Sequence, residues 1–194
     1  MNHPHTTRRD LMARCLPVAA LALATGATLF RPVPAEAASR ADIDADVSAA
    51  VTRLRNLPEA APLFSQARAI LVFPRIIQGG LIVGGQYGEG ALIQGGATRG
   101  YYNIAGASFG LLIGAQASGL AMFFMTEEAI AGLRNADGWE IGTGPSVVVL
   151  DRGIQANATS TTLREPVYAI TFNQAGLMAA LALNGTKITR INPD

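Results

Sequence analysis

The period of the hydrophobic pattern changes at residue 69. Before it, Ile43, Val47, Ala50, Val51, Leu54 and Leu57 recur at three- and four-residue spacing, which lines one face of a helix over Ser39–Leu57. Asp42, Asp44 and Asp46 crowd the start of this segment, where the helix dipole favours negative charge. Arg53 and Arg55 stand near its end, and Pro58 stops it. A second short helix is predicted over Glu59–Gln66.

From Ala69 onward, short β-prone runs are broken every few residues by Gly or Gly-Gly, the pattern of strands joined by tight turns. Strands are predicted near Ala69–Phe73, Leu81–Gly84, Gly90–Gln94, Tyr101–Phe109, Leu111–Ala117 and Gly119–Met125. Thr126, with Glu127 and Glu128 behind it, reads as the N-cap of a short helix ending near Arg134. Asn135–Gly138 reads as a turn and Ser146–Leu150 as a fully buried strand. Gln155–Leu163 is polar, a loop or an edge strand. Val167–Phe172, Gly176–Leu183 and Thr186–Ile191 complete a β-rich end, with Asn184-Gly185 as a type I′ hairpin turn. This order predicts an α+β fold: N-terminal helices followed by a mostly antiparallel, Gly-rich β-sheet curled into a sandwich or barrel.

One stretch admits a rival reading. No charge falls between Arg99 and Glu127, long enough for a membrane helix. Gly106, Gly110 and Gly114 even take the small-xxx-small spacing of packed transmembrane helices. Asn103, Ser108, Gln116 and Ser118 dilute the apolar character, however, and the interleaved strand formers favour the sheet.

The first 37 residues read as a separate segment. Thr7-Arg8-Arg9-Asp10-Leu11-Met12 is a twin-arginine pattern, with Arg8 and Arg9 as its motif. A mildly apolar run over Leu16–Leu29 follows, and Ala35-Glu36-Ala37 supplies a small-residue cleavage site at Ala35 and Ala37. Residues 1–37 are therefore expected to be a bacterial export signal of the twin-arginine type. Residues 38–194 are expected to be one domain, periplasmic or exported and peripheral on a membrane face. Cleavage would remove four arginines and two acids. The balance then moves from 15 basic against 14 acidic residues to 11 against 12, a formal charge of −1. Such a balance argues against a nucleic-acid binder, which needs a basic face.

Both histidines (His3 and His5) and the single cysteine (Cys15) lie in the first 37 residues. The remaining chain therefore has no Ser-His-Asp or Cys-His chemistry, no His/Cys zinc site and no disulfide. Glu89, between two glycines, has no partner carboxylate for general acid–base work. The glycines form no dinucleotide or P-loop pattern. No catalytic residue, metal site or cofactor is expected. Trp139, after Asp137-Gly138, reads as a core or rim anchor.

The most specific block is Ile70–Gly110, with Val72-Phe73-Pro74-Arg75, Gly79-Gly80-Leu81-Ile82-Val83-Gly84-Gly85 and Gly88-Glu89-Gly90. Together with the tail from Gly176-Leu177-Met178 to Gly185-Thr186-Lys187-Ile188-Thr189-Arg190, it resembles the SYLF domain family in its exported, stand-alone bacterial form. The resemblance implies a lipid-binding, non-catalytic module with a β-rich core and N-terminal helical elements. It implies phosphoinositide-like headgroups as ligands, and actin for some eukaryotic members; actin is the part least transferable to an exported bacterial protein.

Arginine gives anionic headgroups bidentate, charge-assisted contacts. Residues 51–100 hold five arginines and two acids, whereas residues 101–150 hold one arginine and four acids. Arg53, Arg55, Arg68 and Arg75 are therefore the candidates for contact with anionic membrane phospholipids. The apolar face of the first helix has two possible places, in the membrane interface or against the sheet. The alternative function is an envelope structural or protein-interaction domain, whose exposed β-edge or apolar patch meets a protein partner.

Overall fold

Ser39 starts the first helix, α1 (Arg40–Arg55), by accepting the Asp42 N–H on its Oγ at 3.3 Å. The computed structural model describes residues 38–80, 83–109, 116–141, 146–150, 163–175 and 185–194. The export reading of residues 1–37, with Arg8, Arg9, Ala35 and Ala37, lies outside them. So do nearly all of the predicted strands at 111–117 and 176–183 and of the segment at 155–163. After α1 come a 3₁₀ turn (Pro58–Ala60) and α2 (Ala61–Gln66), which together form the predicted second helix.

Four strands follow: β1 (Ala69–Gly80), β2 (Val83–Gln94), β3 (Ala97–Phe109) and β4 (Gln116–Phe124). Then come α3 (Glu127–Asn135), β5 (Trp139–Glu140), β6 (Val147–Leu150), β7 (Val167–Ala175) and β8 (Thr186–Ile191). Thr126 caps α3 by accepting the Ala129 N–H at 3.2 Å, as its position before two glutamates predicts. All the strands form one sheet in the order β5-β8-β3-β2-β1-β4-β7-β6. Its pairs are antiparallel except β6–β7, and the sheet curls into a half-barrel. The uncharged run between Arg99 and Glu127 contributes β3 and β4. Among the described residues no helix is long and apolar enough to cross a membrane.

Each face of the sheet carries a core of its own. Leu120, Met122 and Phe124 of β4 join one core with Ile130 and Leu133 of α3 and Trp139 of β5. Ala121 and Phe123, one residue out of phase, join a second core with Val47 and Leu54 of α1 and Leu63 of α2. The Phe64 and Phe123 rings meet edge to face at 5.1 Å. The apolar face of α1 therefore packs on the sheet: Ile43, Val47, Ala50 and Leu54 are buried, and Val51 and Leu57 pack beside them. Trp139 is buried against Phe124, with ring centres 6.0 Å apart.

Three features differ from the sequence expectation. Val83 and Gly84 of the first predicted strand and the whole of Gly90–Gln94 belong to a single strand, β2, so Gly88-Glu89-Gly90 is mid-strand instead of a turn, while Leu81 and Ile82 lie outside the described residues. The cause is a β-bulge in the neighbour. Between Val72 and Arg75, β1 gains one residue against β2, and between Phe73 and Ile76 it gains one against β4. Pro74, which cannot donate to a ladder, sits in this bulge. The bulge brings β1 so close to β2 that a side chain at Gly88 would clash with Arg75 and Ile76, and one at Gly90 with Val72 and Phe73. The turn itself is Gly95-Gly96, at φ +63° and +80°, a two-residue connection between Gln94 and Ala97. Finally, β6 lies at the end of the strand order, so only Leu150 of this predicted buried strand is buried.

Under the half-barrel runs a short polar row. Gln78 Nε2 donates to Gln86 Oε1 at 3.3 Å, and Gln86 Nε2 donates to Thr186 Oγ1 at 2.6 Å. The second bond passes over Gly106, which pairs with both residues and has no side chain to obstruct it. All three polar side chains are buried.

Candidate anion-binding surface

Helix α1 separates the four arginines singled out by sequence. Asp46 and Arg53 project from one flank, toward the β1 bulge. There they line a concavity of about 370 Å³ with Pro74, Arg75, Ala117 and Asn173. Asn173 has φ +51°, beside a register shift in the β4–β7 pairing, so irregular backbone borders this concavity on two strands. Arg53 and Arg75 are both exposed.

Arg55 projects from the other flank. It lines a separate concavity of about 300 Å³ with Asp44, Thr52 and Thr98, and its guanidinium lies 5.5 Å from the centre of the Phe64 ring. Arg68, just ahead of β1, faces Glu127 at 3.6 Å, with both side chains more than half exposed. Such a surface pair contributes roughly 0–1 kcal/mol. Of the four candidates, the structure therefore brings two together, Arg53 and Arg75.

Glu89 has a structural task. Its Oε1 accepts the Tyr87 hydroxyl at 2.6 Å and its Oε2 accepts the Ala38 N–H at 3.3 Å, which straps the chain ahead of α1 to the middle of the sheet. Burial, then the Glu89 hydrogen bond and charge, push the Tyr87 hydroxyl above its ordinary range, against a smaller opposing effect of Asn103.

The sequence reading missed a third concavity, of about 340 Å³, lined by Arg40, Arg99 and Arg190 with Thr98, Gly100 and Tyr101. Arg40 opens α1, Arg99 lies near the start of β3 and Arg190 near the end of β8. No local pattern joins them: the β3–β8 pairing, which sets Tyr102 opposite Arg190, brings β3 and β8 together, and Arg40 joins them through its hydrogen bonds to Pro193 and Asp194. Burial pushes the Tyr102 hydroxyl up, and the Arg190 and Arg134 charges oppose it.

The sequence model of the Ysc84 or SYLF family, described as Las17-binding protein actin regulator, matches residues 105–192. The match covers less than half of the chain and agrees with the SYLF resemblance that the motifs carry. The matched stretch begins inside β3 and runs past the end of β8. It therefore includes the C-terminal tail motifs, while most of the block from Ile70 to Gly110 precedes it. No curated protein matches the chain.

Proposed function

We propose that this protein is a non-catalytic module of the bacterial envelope that binds anionic phospholipid headgroups through surface arginines. The resemblance of the motifs to the SYLF family, with the family-model match over residues 105–192, supports lipid binding as the class of function. The observation that carries the reading for this chain is the meeting of Arg53 and Arg75 in one concavity beside the β1 bulge. Helix α1 has its apolar face against the sheet, so contact with a bilayer falls to charged side chains rather than to an inserted helix face. In this reading the twin-arginine segment carries the folded domain out of the cytoplasm, which leaves the actin link of the family description without a partner there.

The test is co-sedimentation of residues 38–194 with vesicles of phosphatidylcholine alone and with added phosphatidylglycerol or phosphatidylinositol phosphate. Retention on the anionic vesicles alone supports the proposal. Equal partition to all vesicles, or to none, defeats it.

One observation favours the alternative, a protein-interaction domain. Ile77 and Tyr87 are direct cross-strand partners, each 49% exposed, and so form a small apolar patch on one face of the sheet. Loss of a partner protein from an Ile77→Ser/Tyr87→Ser variant that still binds vesicles would support that reading.

A further inference from the structure

We infer that the concavity bounded by Arg40, Arg99 and Arg190 is a phosphoryl-group site, separate from the Arg53–Arg75 concavity. Three chain elements deliver one guanidinium each. Strand β8 pairs with β3 only over Tyr101–Gly106, so Thr98, Arg99 and Gly100 run on beyond its last partner. Arg99 is the additional residue of a bulge: Gly100 pairs with Leu92 and Thr98 with Ile93, and Arg99 is left between them. A bulge re-aims the side chain it carries. Arg190 lies beside this strand end: a Cβ built on Gly100 would be in ordinary contact with Arg190 Nε, at 3.7 Å.

Arg40 is held from two sides. Its Nε donates to the Pro193 carbonyl at 2.6 Å, and its guanidinium lies 6.0 Å from the centre of the Tyr101 ring. Among the described residues no carboxylate lines the concavity. The neighbouring acid, Asp44, accepts the Thr98 and Tyr101 hydroxyls, each at 2.9 Å, and so orders the wall.

Three cations of fixed origin around one opening, without a counter-charge in the lining, suit a ligand that is itself multiply charged. Guanidinium forks match the oxygens of a phosphoryl group bidentately. The volume falls at the lower end of the range for ligand pockets, about 300–1,000 Å³. It has room for a phosphomonoester with a short polyol. That ligand is either a lipid headgroup or a free sugar or glycerol phosphate.

The experiment titrates residues 38–194 with inorganic phosphate and with glycerol 3-phosphate by calorimetry. In parallel, the domain is sedimented with phosphatidylcholine vesicles with and without phosphatidic acid. Wild type is expected to bind both soluble anions. Arg99→Gln/Arg190→Gln is expected to weaken that binding by at least about tenfold, since each hydrogen bond to a charged group counts for that much, while Arg68→Gln, at a residue that faces Glu127 outside both concavities, leaves it unchanged. Parallel loss of phosphatidic acid vesicles assigns the site to a headgroup; loss of the soluble anions alone assigns it to a free phosphate. Arg99→Gln by itself, an exposed residue on a strand end, serves as the second variant should the double variant unfold. No binding of phosphate, glycerol phosphate or phosphatidic acid by wild type, or equal binding by the folded variants, overturns the site. A chain that binds anionic vesicles through Arg53 and Arg75 yet ignores the soluble anions loses this inference and keeps the function proposed above.

Discussion

Gly90 lies so close beneath Val72 that a β-carbon on it would overlap the Val72 carbonyl oxygen. The clash is with backbone, which cannot swing aside. Gly90→Ala is therefore expected to cost about 3 kcal/mol, the upper end of overpacking. Gly79→Ala, in the same sheet but with nothing near the new methyl, should change stability by less than about 0.5 kcal/mol. Urea denaturation of the two variants checks the contrast, and equal midpoints would show that the bulge does not hold β1 against β2.

That relationship also marks where the sequence stopped being legible. The helix face of Ile43, Val47, Ala50 and Leu54, the Thr126 cap and the strand Thr186–Ile191 follow from spacing and capping chemistry within a few residues. The unity of β2 does not, because Gly88 and Gly90 answer to a bulge in β1, and a glycine required by a neighbouring strand looks like one required by a turn. The basic surface divides in the same way. The excess of arginine over residues 51–100 marks Arg53 and Arg75, but helix geometry sends Arg55 to the opposite flank of α1. Arg40 and Arg190 lie at opposite ends of the domain and are brought to one concavity by the hydrogen bonds of Arg40 to Pro193 and Asp194, just past the end of β8.

Arg53→Gln/Arg75→Gln is expected to retain the fold and to bind anionic vesicles about thirtyfold more weakly, at about 1 kcal/mol per basic residue near a charged membrane. Adding Arg68→Gln should change little further, since Arg68 faces Glu127. Binding by wild type should fall between 0.1 M and 1 M salt, as the Debye length shrinks from about 10 Å to about 3 Å. Undiminished binding by the double variant at low salt would remove the Arg53–Arg75 concavity from the mechanism.

Alkaline pH supplies an independent probe of the sheet surface. The Tyr101 hydroxyl is pushed above its ordinary value of 10.0 by burial first and then by its hydrogen bond to Asp44, with Arg40 opposing. Tyr87 is raised as well. A group with a raised folded-state pKa contributes stability that is fully present below its unfolded pKa, about 10 for tyrosine, and is lost as pH rises through the folded value. Stability should therefore decline above pH 10, and more gently in Tyr101→Phe. Tyrosinate absorbance, titrated beside the urea midpoint, follows both. An identical alkaline slope in the variant would detach Tyr101 from the effect.

The export reading has its own test. Replacing Arg8 and Arg9 together by Lys is expected to leave the precursor in the cytoplasm, because the paired guanidinium groups define the motif. Fractionation with immunodetection measures it, and normal mature protein in the periplasm of the double variant would refute the twin-arginine assignment.

The anchoring of Arg40 fixes when the domain can be finished. Its N–H donates to the Asp194 carbonyl at 3.1 Å, and its Nε reaches the Pro193 carbonyl across 153 positions of sequence. Contacts of such separation must overcome the entropy of closing a very long loop, and they wait for the last strand to emerge from synthesis. The start of α1 can be locked down only after its far partner exists, so this domain is completed no earlier than the synthesis of residues 193 and 194. Its two ends then lie side by side, and a circular permutant that joins 194 to 38 and opens at the Gly95-Gly96 turn should preserve the sheet order while its chain begins in the middle.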